Sequence, residues 1–599
     1  MFRSVIQPAL VASVFIISLN QSLANELLPP VLPWQGSSEA LLQASHPLAT
    51  EFELSQGLTS PDYDNTQAYL DKLMTHSAQL QKISLGMSPQ GRDIWMYIVS
   101  ANGAQDADAL KANRKPTLLV QAGIHAGEID GKDAGMMLIR DIVTGPKAAL
   151  LDQANLLFIP IFNVDGHERQ GQYHRVNQRG PVNMGWRTTA NNLNLNRDYA
   201  KADSMEMQAL LKAINQWQPT LYIDVHVTDG IDYQYDVTFG YNLKQGHSRS
   251  IYDWFTTHYR PAIEASLTQL GHIPGPLVFA IDNSDMAQGM NLWNPEPRFS
   301  NGYGDVRHLP TVLVENHSLK PYKQRVLGTY VLLEQSMITL GQQQRSLNAA
   351  ITKDQNRYSS LVTLSWINER QPQGWDFKGI DYTLETSPIS GDRVVRWLGT
   401  PKLYPNLTVI GNTRADKRTR RPAAYYVPPQ WTEVIAKLQL HGIKMSPLTG
   451  ESQLKLQQYT FSSHLFSAKD YEGRQRVSTH ARLEDVRATL PQGTMKISTR
   501  QPLGDLAIML LEPDSPDSLL QWGLFNPIFS RTEYIEDYAV EPLARQMLNA
   551  DPQLQAEFDA ALTSDADFAA DPKARLRWFY ERSPYYDQQY QVYPVLRGQ

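Results

Sequence analysis

Four short apolar runs, each ending in polar residues, restrict this chain to an α/β architecture with a mixed, mostly parallel sheet. They are Thr117–Val120, Asn155–Phe162, Thr220–Val225 and Thr311–Val314. Nearly continuous apolar runs suit strands buried on both faces, as parallel strands covered by helices are. Between them the spacing predicts helices from Gly131 to about Val143, over Ser204–Trp217, near Ser250–Leu270 and from about Lys320 to Thr352. Open α/β sheets place ligand crevices at the carboxyl ends of their strands, where these polar residues fall.

The first run carries the strongest signal. After Val120 the chain reads Gln-Ala-Gly123-Ile-His125-Ala-Gly127-Glu128-Ile-Asp130, with glycines to turn the chain and Asp130 as a helix cap. An imidazole and a carboxylate three residues apart suit Zn2+, which accepts nitrogen and oxygen donors. Two ligands do not make a site, and an isolated His-x-x-Glu is more often ordinary loop polarity.

At 599 residues the chain needs several domains. Residues 1–24 read as a signal peptide, with Arg3, an apolar Ala9–Leu19 run and a Ser22-Leu23-Ala24 cleavage pattern, which predicts a periplasmic or secreted protein. That apolar run is too short for a membrane span, which needs roughly 20 residues. Residues 25–60 form a leading arm without periodicity. Residues 61–352 hold the α/β domain, opening with a helix over Thr66–Leu80 and a hairpin over Ile83–Val99. Residues 353–510 read as a mostly β domain with a helix at Thr432–Leu440, and residues 511–599 as a helical, aromatic-rich region. No chemistry is visible in this distal half, where Lys417–Arg421 reads as a solvated basic loop. The absence of cysteine excludes thiolate ligands and nucleophiles, leaving His, Asp and Glu to hold any metal. A net charge of −6 and a pI near 6.2 give no basic field for nucleic acid. Oligomeric state is not legible.

Taken in order, His125-x-x-Glu128, Trp186-Arg187, Asn196-Arg197, His226 and Glu315 resemble the carboxypeptidase A-like zinc metallocarboxypeptidases, over about residues 60–345. The distal half resembles the extra region of large bacterial members. The resemblance implies one Zn2+ per chain held by His125, Glu128 and His226, with a fourth position open as in catalytic zinc sites. It makes Glu315 the general base and Arg187 the group that stabilises the developing oxyanion. Asn196 and Arg197 would bind a peptide's terminal carboxylate, for which a guanidinium is geometrically suited. Tyr303 is the candidate for the tyrosine that closes over substrate, although it lies only twelve residues before Glu315. The family often has Asp where this chain has Asn194, and a neutral amide raises the basicity of a ligand imidazole less.

The function expected is therefore hydrolysis of the C-terminal peptide bond of a peptide substrate. An amidase or endopeptidase acting on cell-wall peptides or other acylated substrates is the rival within enzymes. A non-catalytic binding protein of the same fold is the rival outside them.

Overall fold

The computed structural model describes residues 27–599, so the expected signal peptide lies outside the described residues. Ten strands concern the site: β1 (Leu80–Met87), β2 (Asp93–Val99), β3 (Thr117–Ala122), β4 (Asn155–Ile159), β5 (Leu221–Val227), β6 (Val237–Gly240), β7 (Pro274–Pro276), β8 (Phe279–Ala280), β9 (Met290–Leu292) and β10 (Thr311–Asn316). Eight of them form one sheet in the order β1-β2-β4-β3-β5-β10-β6-β7. Its centre, β4-β3-β5-β10, is parallel, and the β1-β2 hairpin and β6 join it antiparallel. All residues of β3, β4 and β5 are buried, which is why these runs show no polar alternation.

Successive side chains still divide between two cores. Leu118, Val120, Ile223, Val225, Val312 and Val314 pack beneath helices Asp130–Val143 and Tyr322–Gln342. Leu119, Leu157, Ile159 and Tyr222 face the opposite side, with helix Met205–Trp217. That second core continues without interruption into the distal half through Tyr425, Val427, Ile497, Leu506–Leu511, Trp522 and Tyr593. The distal strands include a six-stranded sheet in which Leu596–Gly598 lies between Ala424–Val427 and Ser452–Phe466. A second, four-stranded sheet pairs β8 and β9 with Val409–Ala415 and Trp366–Arg370. Distal strands thereby extend the sheet whose β8 lines the cleft described below.

Several local expectations change. The first helix spans Tyr63–Met74, and Leu80 instead opens β1. Asp130 is not a cap: it is the first residue of its helix, and its buried carboxylate pairs with Arg325 Nε at 3.0 Å. The long helix after Lys320 is two, Tyr322–Gln342 and Gln344–Gln355, separated at Gln343. Arg418–Arg420 is a strand, and Arg421 is a buried partner of Asp505 rather than part of a solvated loop. Among the described residues no helix is long and apolar enough to cross a membrane.

Candidate active site

Gly123, at φ +70°, turns the end of β3 into the loop that carries His125 and Glu128. Gly127 is hemmed in, since a Cβ there would run into the Arg175 side chain and the Gly185 carbonyl. His226 emerges near the end of the adjacent β5. The potential ligand atoms of His125, Glu128 and His226 lie within 4.8 Å of one another, and all three residues are buried.

The two imidazoles present the same nitrogen to the centre. His125 Nδ1 is 3.0 Å from Glu128 Oε1, and His226 Nδ1 is 3.1 Å from Glu128 Oε2. Their far nitrogens are held from behind, His125 Nε2 by Asn194 Oδ1 and His226 Nε2 by Asp224 Oδ2, each at 3.0 Å. Outer acceptors of this kind fix ring orientation and tautomer, leaving Nδ1 for a metal. Two imidazole nitrogens and a carboxylate, gathered in one buried cluster with both rings oriented, fit zinc.

Burial lowers the His125 pKa to about 4, so its ring is neutral and able to donate a lone pair. His226 is raised: burial opposes its charge, but Asp224, Glu128 and Glu315 favour the imidazolium. Burial also works against charge on Glu128, yet Arg175 and the two histidines hold its carboxyl well below the usual range. Arg175 Nη2 is 2.7 Å from Glu128 Oε1, and Arg187 Nη1 is 3.4 Å from the same atom.

His125, Glu128 and His226 open onto a cleft of about 300 Å³ that Arg187, Asn196, Arg197 and Glu315 also line. Glu315 projects from β10, whose register pairs it with His226. Its Oε2 is buried without a hydrogen-bond partner, and burial pushes its pKa up to about 8. Asn196 Oδ1 is likewise buried and unpartnered. Arg197 lies over the Phe299 ring at 4.5 Å. Ile231, Leu277, Val278, Phe279 and Trp293 give the cleft an apolar stretch of lining.

Tyr303 does not belong to this cleft, correcting the expectation. It lies on helix Ser300–Arg307, 1% exposed, and its hydroxyl pairs with His441 Nδ1 at 2.9 Å. The helix turns this ring into the core against Tyr199.

Residues 66–295 match the family model of the zinc carboxypeptidases. That segment is similar to the zinc carboxypeptidases, and relatives matched over most of the chain are carboxypeptidases. The chain is 21% identical to carboxypeptidase 2 of Trichophyton rubrum over 502 residues, covering 80% of this chain and 87% of the relative. It is also 27% identical to the inactive metallocarboxypeptidase ecm14 of Schizosaccharomyces pombe over 191 residues, covering 29% and 37% of the two chains. The crystal structure of carboxypeptidase A from Helicoverpa armigera superposes with a TM-score of 0.37 at 16% identity, covering 56% of this chain and 81% of that one. Glu315 falls beyond the segment that matches the family model.

Three contributors to this cleft are not among the residues the sequence pointed to. Asp224 was legible in principle, since a polar residue two positions before His226 on a strand shares its face. Arg175 stands in an aperiodic loop with nothing to mark it. The lining at Phe279 and Trp293 lies in a Gly/Asn/Pro-rich stretch where no strand pattern is visible.

Proposed function

We propose that the chain is an exported zinc carboxypeptidase that removes C-terminal residues from peptides. The observation that carries this reading is what one cleft brings together: a His-Glu-His cluster, a carboxylate with an unpartnered buried oxygen, and a guanidinium. His125, Glu128 and His226 would hold the metal. Zinc, when bound, supplies Lewis acidity that polarises a carbonyl and lowers the pKa of water.

The protein's own groups do the rest. Glu315 takes the proton of the attacking water at Oε2 and returns it to the leaving amine, a task open to a carboxylate oxygen that faces the cleft with no other partner. Arg187, half-exposed at the cleft, stabilises the charge that develops on the carbonyl oxygen. Asn196 Oδ1 and Arg197 receive the end of the peptide, the arginine binding its carboxylate. The apolar lining favours a bulky apolar side chain on the residue released.

Mass analysis of products from a mixed peptide library tests this reading. Stepwise loss of single C-terminal residues, with apolar and aromatic ends consumed first, is expected. Internal cuts, or release of acyl groups with the C-terminus intact, would favour an endopeptidase or amidase. No turnover by zinc-loaded protein would favour a binding protein.

A further inference from the structure

Side chains from the distal half reach the cleft loop. Strands Ser452–Phe466 and Val477–Leu490 form a long antiparallel hairpin, and the turn between them lies against residues 194–203. At its tip Tyr471 and Arg474 exchange backbone hydrogen bonds of 2.9 and 3.1 Å around Glu472 and Gly473. Both central residues have left-handed φ, +52° and +74°, as a type I′ turn requires. Glycine takes that conformation freely, but Glu472 does not. Its carboxylate is engaged, accepting the Asn194 backbone N–H at 2.8 Å, and Asn194 is the residue that holds His125 Nε2.

The tip is fixed on its other sides. Arg474 binds Asp203 at 2.7 and 2.9 Å and Glu433 at 2.7 Å, and the Tyr471 ring stacks on Trp522 at 5.9 Å with 14° between planes. This places the Tyr471 hydroxyl where it accepts Arg197 Nε–H at 3.0 Å. Arg197 Nη1 donates to the Asn196 carbonyl at 2.8 Å, and Phe299 supports the guanidinium. Among the described residues Arg197 Nη2 makes no hydrogen bond, while the residue lines the cleft.

We propose that the hairpin tip at residues 467–476 is a positioning element of the substrate site, with Tyr471 setting the orientation of the Arg197 guanidinium. The inference rests on the reading that Arg197 binds the substrate's terminal carboxylate. A free arginine has many rotamers, and ordering it costs affinity at binding; three fixed contacts settle that orientation before substrate arrives. The distal half is then part of the recognition apparatus.

The test is kcat and KM on matched free-acid and C-terminally amidated peptides for the zinc-loaded wild type, Tyr471→Phe and Arg197→Ala. Tyr471→Phe removes the acceptor and keeps the ring on Trp522, so zinc content and melting temperature should be unchanged. KM for the free acid should rise about 3-fold to 10-fold, with kcat within about 2-fold and the amide barely affected. An acid-to-amide ratio equal to wild type, or equal loss on both peptides, overturns the proposal. If Arg197→Ala abolishes the ratio while Tyr471→Phe keeps it, the hairpin proposal alone fails. If Arg197→Ala keeps it, the carboxylate reading beneath it fails first.

Discussion

Glu315 and His226 are register partners on neighbouring parallel strands, β10 and β5, and both side chains line the same cleft. Residues paired across a sheet point to the same face, so the candidate base and a candidate metal ligand are set side by side by backbone hydrogen bonds rather than by a loop. A site built on strands holds its geometry better than one built on loops alone. Glu315→Gln keeps the shape of the side chain and loses the ability to take a proton. Turnover should fall by roughly 100-fold or more with zinc content unchanged. Wild-type turnover in that variant would remove Glu315 from the chemistry.

The backing of the imidazoles predicts a graded metal affinity. Asp224→Ala removes the acceptor behind His226 Nε2 and should weaken zinc binding by about 10-fold to 100-fold. Asn194→Asp places a carboxylate behind His125 Nε2 and should tighten it. Competition titration with a chelating indicator reads both, and equal affinities across the three proteins would show that these contacts do not tune a metal site.

His226→Ala removes one of the three clustered donors altogether. Purified variant should carry far less than one zinc per chain by elemental analysis, and chelator treatment of the wild type should abolish activity that added zinc restores. Full zinc content in the variant would place the third ligand elsewhere.

Glu206 gives a pH dependence away from the cleft. Both of its carboxylate oxygens are buried without partners, and burial, reinforced by Asp165 and Asp198, pushes its pKa up to about 7. A carboxyl raised above its unfolded value contributes stability that is complete below the unfolded pKa and lost as pH rises through the folded one. Between pH 4.5 and pH 8 the wild type should therefore lose about 1–3 kcal/mol relative to Glu206→Gln. Chemical denaturation of both proteins at the two pH values measures it, and parallel curves would contradict it.

The central sheet was legible because β3, β4, β5 and β10 bury both faces and leave nearly unbroken apolar runs. The residues at their carboxyl ends, His226 and Glu315, inherit that clarity: once the strand is placed, its last side chains are placed. Tyr303 was misjudged because its distance from Glu315 along the chain says nothing about which side of helix Ser300–Arg307 it occupies, and that side faces the core. Tyr471 was beyond reach for another reason. Its partner Arg197 lies 274 residues away, and a single hydrogen bond across that separation leaves no periodic trace. The pattern of elements changes near residue 352, and one hydrophobic core holds residues from both sides of that point.

The most direct test of the account is kcat/KM for one peptide as free acid and as C-terminal amide, with wild type and Arg197→Ala. A charge-assisted hydrogen bond is worth about 1.5–3 kcal/mol, so the wild type should prefer the acid by roughly 10-fold to 100-fold. Arg197→Ala should erase most of that preference while the amide is turned over nearly as before. Equal values for acid and amide with the wild-type enzyme would contradict the account, because a carboxypeptidase must read the carboxylate that the amide lacks.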